Sequence, residues 1–168
     1  MNLVTESLKL VACSVEMLQS LIDDAIDLSE LMGVQVPKDW PAEELKEVAP
    51  YFIKILTESP DMEGRLCWFI VEKDQDFVIG SIGFKAEPDK DGIVEIGFGI
   101  DPAFRRKGYA TEAVRGLTGW ALSQNDIQKV IAECELDNKP SVKVLEKAGM
   151  QRIGVEKDMI KWEIKLET

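Results

Sequence analysis

The chain has 168 residues, 45% apolar and 30% charged, the balance of a folded domain rather than a disordered segment. It contains no histidine, which excludes Ser-His-Asp and Cys-His catalysis, histidine-ligated metals and any side chain that ordinarily titrates near neutral pH. The formal net charge of −11 argues against nucleic acid as a partner.

In chain order, residues 8–13 read as a short strand. Ser14 is placed to cap a helix whose apolar stripe is Met17, Leu18, Leu21, Ile22, Ala25, Ile26 and Leu28. Residues 33–40 read as a loop. Pro41 suits the first turn of a second helix, with Glu43 and Glu44 at its positive end, running to about Thr57. Strands over 66–72 and 77–85 flank the polar turn 73–76 as a hairpin, and 93–100 is a third strand in this run. A helix from about Gly108 to Ser123, a strand over 129–136 and a helix over 140–148 ended by Gly149 follow. Two short strands between 151 and 166 close the chain. A meander followed by strand–helix–strand predicts an α/β (α+β) fold. It has a mixed, mostly antiparallel sheet of about seven strands, in a single domain over residues 1–168.

The three cysteines are widely spaced and form no CxxC pair, so neither a zinc site nor a disulfide framework is expected. The longest apolar run, 66–71, is too short to cross a bilayer. A cytoplasmic protein without a membrane partner is expected. Asp61, Glu63, Asp89 and Asp91 read as solvated turns, and no metal is predicted.

Charge is uneven. Residues 1–60 carry 4 basic and 11 acidic side chains, and residues 61–100 carry 4 and 9. Residues 101–168 carry 12 and 11. The basic groups of the last third cluster at Arg105, Arg106 and Lys107 and at Lys139, Lys143 and Lys147. A small anionic ligand suits this region, and a cationic partner suits the first hundred residues.

In the stretch EIGFGIDPAFRRKGYATEAV, residues 95–114, a strand ends at Ile100, a basic turn follows, and a helix starts near Gly108. A helix start offers free N–H donors and partial positive charge. Gly108 allows close approach to the backbone, Ala110 is small, and Arg105, Arg106 and Lys107 add full charges. The pattern fits a phosphate site at a helix N-terminus, without the spacing of a P-loop or a GxGxxG turn; the other reading is an ordinary strand-to-helix loop with a solvated basic rim.

RRKGYA, residues 105–110, resembles the Q/R-x-x-G-x-G/A signature of the GNAT superfamily of acyl-CoA-dependent N-acyltransferases. NKPSVKVLEKAGM, residues 138–150, resembles that family's N-x-x-S-x-x-x-x-x-K-x-G block. TESLKL, residues 5–10, is similar to the start of the RimJ/RimL-like branch, the ribosomal-protein-alanine N-acetyltransferases. Ser7 stands where that branch would have an arginine.

The resemblance implies an acetyl-CoA-dependent N-acetyltransferase. Its acceptor would be a primary amine, on a small molecule or a protein N-terminus, and the protein would be a monomer or homodimer. Coenzyme A would lie in a notch between splayed fourth and fifth strands, with Phe98, Gly99 and Ile100 at its edge. Backbone amides of Arg106, Lys107, Gly108, Tyr109 and Ala110 would hold the pyrophosphate, with Thr111 close by. Asn138 would bond the pantetheine arm, and Lys143 or Lys147 the nucleotide phosphates. Met32 and Trp40 fall where the family covers its acceptor. Trp68 and Trp120 read as core. The alternative reading is an acyl-CoA-binding sensor or interaction module without transfer activity.

On the strand 93–100, Val94, Ile96, Phe98 and Ile100 share one face and Glu95, Gly97 and Gly99 the other. A thioester and an amine fit over the two glycines, unless a bulge shifts the alternation. An alkylammonium must lose a proton before it attacks, and without histidine a carboxylate is the natural acceptor. Glu95 is the candidate base; its other reading is a pair with a neighbouring strand charge. A backbone amide near Phe98 or Gly99 is the candidate oxyanion donor. The resemblance implies a tyrosine in the helix after Asn138 to protonate the thiolate, but Tyr51 and Tyr109 lie elsewhere; Ser141, at the motif serine, is the replacement candidate, with an early-helix cap or unassisted departure of the thiolate as the other readings.

Overall fold

The computed structural model describes residues 1–166; Glu167 and Thr168, the end of the expected domain, lie outside them. Two strands open the chain, β1 (Asn2–Val4) and β2 (Leu8–Ala12), followed by helices α1 (Val15–Gln19), α2 (Leu28–Met32) and α3 (Glu43–Glu58). A meander follows, β3 (Cys67–Glu72), β4 (Phe77–Phe84) and β5 (Ile93–Ile100). Then come α4 (Tyr109–Leu122), β6 (Lys129–Glu135), α5 (Lys139–Lys147), β7 (Gln151–Glu156) and β8 (Met159–Lys165). Among the described residues the strands form one eight-stranded sheet in the order β1-β2-β3-β4-β5-β6-β8-β7. It is antiparallel except for β5 beside β6. The strand beyond the expected seven is β1, three residues paired to β2.

The long first helix expected from the apolar stripe is two short ones. The cause is local. Asp23 Oδ1 accepts the Ala25 amide at 3.0 Å, and Asp27 Oδ1 accepts the Ser29 amide at 2.9 Å and caps α2. Aspartate side chains that take nearby amides compete with the helical ladder, and they outweigh the apolar periodicity here. Ile22, part of the stripe, is consequently exposed. Pro41 lies ahead of α3 rather than inside its first turn; Ala42 is the N-cap, and no side chain caps it.

Each sheet face has its own core. Against α4 and α5 pack Leu8 and Leu10 of β2, Trp68 and Ile70 of β3, Val94 and Ile96 of β5, and Trp162 of β8. From α4 come Ala113, Val114, Leu117 and Ala121. Against α1 and α3 pack Cys13, Cys67, Phe69, Leu45, Ala49 and Phe52. Trp68 is fully buried and meets the half-buried Trp120 edge-on, with ring centroids 5.3 Å apart. Burying one such large side chain stabilises by about 1.5–3 kcal/mol.

The first turn of α4 is tied to the β1–β2 turn. Glu112 accepts a hydrogen bond from the Thr5 hydroxyl and one from the Ser7 amide at 2.8 Å. Glu112→Ala is expected to lower unfolding stability by about 2 kcal/mol, the scale of bonds to a charged acceptor. Urea titration checks it, and a loss below about 0.5 kcal/mol would make the tie ornamental.

Candidate functional site

The sheet opens between β5 and β6. These strands pair only through Ile93, Val94 and Glu95 with Lys129, Val130 and Ile131. Past Glu95 they diverge, which leaves a notch at their shared C-terminal end, where α4 and α5 begin. Ligands of mixed sheets bind at such ends.

The pairing on the other side of β5 decides which amides face this notch. Lys85 donates its amide to Glu95 O at 3.0 Å, and Asp101 donates to Ile79 O at 2.7 Å. The register between these two bonds is unbroken, so no bulge shifts the alternation over Ile96–Ile100. Antiparallel pairs alternate, so Gly97 and Gly99 turn their amides to β4 and Ile96, Phe98 and Ile100 turn theirs to the notch. Of the two expected oxyanion donors, Phe98 faces the notch and Gly99 does not. Ile100 O is occupied by Arg105, whose Nε donates to it at 2.8 Å.

The turn after β5 is built to leave amides free. Asp101 caps a short helical turn, Pro102–Phe104, and accepts the Ala103 amide at 3.0 Å. Arg106 then takes a left-handed φ of 67° and Gly108 one of 82°. Gly108 is the N-cap of α4 and offers no side chain, so the first amide to find an intrahelical partner is Glu112, bonded to Gly108 O at 3.1 Å. The amides from Arg106 to Thr111 meet no acceptor among the described residues. A run of unpaired N–H groups at a helix start is an anion cradle. The three basic side chains around it differ. Arg105 is tied back to β5, Lys107 Nζ stands 5.7 Å from the centroid of the Phe104 ring, and Arg106 is exposed. Burial, followed by the charges of Glu72, Asp74 and Glu112, pushes the Tyr109 phenol up and keeps it protonated.

At the start of α5, Asn138 is the N-cap and its Oδ1 accepts the Ser141 amide at 3.2 Å. The Asn138 amide nitrogen remains as a donor at the mouth. Ser141 is half-buried and Lys143 is exposed. Lys147 instead lines a cleft of about 600 Å³ with Gly108, Thr111, Glu112 and Arg115. Arg115 caps the end of α5, donating to Lys147 O through Nε at 3.1 Å and Nη2 at 2.6 Å. Arg115 was missed in the sequence. The clue is its place one helical turn beyond Thr111, on the same face.

On the opposite sheet face the glycine floor is as expected. Gly99 is exposed, and a Cβ on it would meet nothing within 4 Å. Glu95 takes the pairing foreseen as its other reading. Lys85 Nζ sits 2.6 Å from Glu95 Oε2. The contact is one of charge: that oxygen is buried and has no directed hydrogen bond among the described residues. Across the splay, two residues beyond Ile131 on the same face of β6, Glu133 pairs with Lys161. Sequence reading missed Glu133, although its alternation with Ile131 assigns its face.

The Lys161 ammonium bonded to Glu133 holds that carboxyl below the ordinary carboxylate range, and Lys161 is raised in return. A depressed carboxylate contributes stability that is present at neutral pH and lost as pH falls through the folded value. The stability gap between the parent and Glu133→Gln is therefore expected to be widest near neutrality. It should close below the carboxylate range. Urea midpoints across pH check this, and a gap independent of pH contradicts it.

Met32 and Trp40 lie on this same face, in the packing over Phe69, Val71 and Val78. Trp40 meets Phe69 edge-on at 5.4 Å. Phe69 is aligned with Ser81, and Ser81 with Gly99, so Trp40 stands two strands from the glycine floor. Its indole N–H is buried without a partner among the described residues. Cys134 points into the α4–α5 core and Cys13 is buried against Cys67. Burial, then its bond to Cys67, pushes the Cys13 thiol well up, which leaves it inert. No group of three or more Cys, Asp or Glu side chains among the described residues is arranged to hold a metal. No helix among them is long and apolar enough to cross a membrane.

The architecture recurs in known proteins. The ribosomal L7/L12 alpha-N-protein acetyltransferase RimL, solved with coenzyme A, superposes with a TM-score of 0.71 at 19% identity, over 99% of this chain and 98% of that one. The microcin C7 self-immunity acetyltransferase MccE, solved with acetyl-CoA and AMP, gives 0.63 at 18% identity over 96% and 94%. In sequence, the uncharacterized N-acetyltransferase YjdG of Bacillus subtilis (strain 168) is 36% identical over 147 residues, 88% of each chain. The model of the acetyltransferase (GNAT) domain matches residues 17–151. That match spans most of the chain, from α1 through the open notch to α5, and with the 36% identical relative it places this N-acetyltransferase in the GNAT family.

Proposed function

We propose that the protein transfers the acetyl group of acetyl-CoA to a primary amine by direct attack within a ternary complex. The observation that carries this is the run of unpaired amides from Arg106 to Thr111 at the open end of the β5–β6 notch. A pyrophosphate matches both the free donors and the positive end of α4. Lys147 and Arg115 stand ready for the nucleotide phosphates in the adjoining cleft. The Asn138 amide nitrogen donates to the pantetheine arm, and the Phe98 amide donates to the oxyanion as charge develops. Glu95 takes the proton of the acceptor ammonium, directly or through one water. The thiolate is a far better leaving group than an alkoxide or an amide anion, and it departs with a proton from Ser141 or from solvent. Positioning two reactants in one cleft supplies much of the acceleration.

The acceptor enters from the face of Gly97 and Gly99, edged by Glu95 and Glu133, with Trp40 and Met32 farther out on the same sheet face. A small-molecule amine and a protein N-terminus both satisfy this geometry. The acidity of the first hundred residues supports a cationic acceptor, and the buried thiols support work in the reducing cytoplasm. Calorimetric titration with acetyl-CoA, followed by thiol release against a panel of amines and peptides, tests the reading. Tight binding with acceptor-dependent thiol release is expected. Binding without release to any acceptor would instead assign a sensor module, and no binding would remove the reading.

A further inference from the structure

Lys85 occupies an unusual position. It directly follows β4, and its side chain crosses the floor where the acceptor is expected. Its amide bonds Glu95 O, its Nζ lies 2.6 Å from Glu95 Oε2, and a Cβ built on Gly97 would touch its Cε at 3.7 Å. The side chain is 57% exposed, and besides its contact with Glu95 it feels the charge of Glu133 across the splay. A primary ammonium therefore sits beside the candidate base, over a bare glycine, next to the edge from which Phe98 offers its amide. These are the groups a bound acceptor amine would meet.

We propose that Lys85 is an intramolecular acceptor: in the absence of an external amine, the protein acetylates its own Lys85 from acetyl-CoA. This inference rests on the acetyl-transfer reading above. The ammonium gives one proton to Glu95, and its freed lone pair attacks the thioester carbonyl. The C–S bond breaks, an N–C bond forms, and the amide nitrogen loses its second proton as the thiolate takes one up. The products are acetyl-lysine, free coenzyme A and one net proton, with no oxidation or reduction. Acetylation removes the charge that holds Lys85 on Glu95 and so releases the carboxylate. An external amine bound over Gly97 displaces Lys85 and protects it.

Three features separate this from chance modification of surface lysines. Proximity raises the effective concentration of Lys85, so its initial rate should exceed that of any other lysine by at least about tenfold. The fraction of Lys85 modified per unit time should be independent of protein concentration at saturating acetyl-CoA, since the reaction is intramolecular. It should fall in Glu95→Gln, which keeps the floor but removes the proton acceptor.

The experiment incubates the purified full chain with acetyl-CoA alone and maps acetylation by peptide mass spectrometry over time. Calorimetric binding of acetyl-CoA is measured on the same samples. The expected result is one dominant acetyl group on Lys85, lost in Lys85→Arg without transfer to a neighbouring lysine, and suppressed by a working acceptor amine. Intact acetyl-CoA binding with Lys85 modified no faster than Lys90, or with a fraction modified per unit time that rises with protein concentration, or equally in Glu95→Gln, overturns the inference while the cofactor site stands. Failure to bind acetyl-CoA at all overturns the acetyl-transfer reading and the inference with it.

Discussion

Replacing Gly108 with valine is expected to weaken acetyl-CoA binding by at least about 100-fold while the protein still folds. Two separate terms lie behind this. The first is conformational. Gly108 holds φ at 82°, where an L residue costs about 1–2 kcal/mol and a β-branched one more. In the free protein this reduces stability or lets the turn relax, and a relaxed turn no longer aims its amides at one point. The second is steric and appears only with ligand. A Cβ at Gly108 meets nothing within 4 Å, so the free protein tolerates the added carbons, which would fill the space proposed for the pyrophosphate. Losing two charge-assisted bonds at about 1.5–3 kcal/mol each is already a factor above 100. Gly108→Ala separates the terms, since it shares the strain and intrudes less, and it should bind between the two. Calorimetry on folded protein reads the result. Binding within about threefold of the parent would show that the cradle lies elsewhere.

The sequence was most informative where function depends on neighbours along the chain. The glycine alternation of β5 and the free helix start at Gly108 are local patterns, and both stand where they were expected. Features that depend on register were out of reach. Nothing local says that Lys85 is cross-strand from Glu95, because that follows from the hairpin length between Phe84 and Ile93. Glu133 enters the site through the β6–β8 pairing that brings Lys161 opposite it. The divergence of β5 from β6 is likewise a pairing that stops, and a strand pattern does not record where its partner leaves. The first helix failed for another reason. Its apolar stripe carries no trace of the amides that Asp23 and Asp27 take for themselves. Helical spacing shows what a helix would bury, not whether its backbone has a better local offer.

The pairing of Glu95 with Lys85 also sets the sharpest test of mechanism. Glu95→Gln is expected to lower kcat by about 10²–10⁴-fold, the range of a lost general base, and to leave acetyl-CoA affinity unchanged. The affinity should hold because Glu95 lies on the proposed acceptor face, whereas the proposed cradle is residues 106–111 at the far end of β5. Stability should hold as well. The side chains of Lys85 and Glu95 are 57% and 29% exposed, and such a pair contributes about 0–1 kcal/mol. A drop in turnover without a drop in either quantity isolates the chemical step. The ion pair supplies the rival account, in which Glu95 merely holds Lys85 in place. Lys85→Met distinguishes the two, because it deletes the pair and spares the carboxylate. If Glu95 is the base, Lys85→Met loses far less turnover than Glu95→Gln, and only the latter changes the shape of the pH–rate profile. Equal losses in both variants, with the profile unchanged, would take Glu95 out of the proton transfer and leave the reaction to positioning by the notch alone.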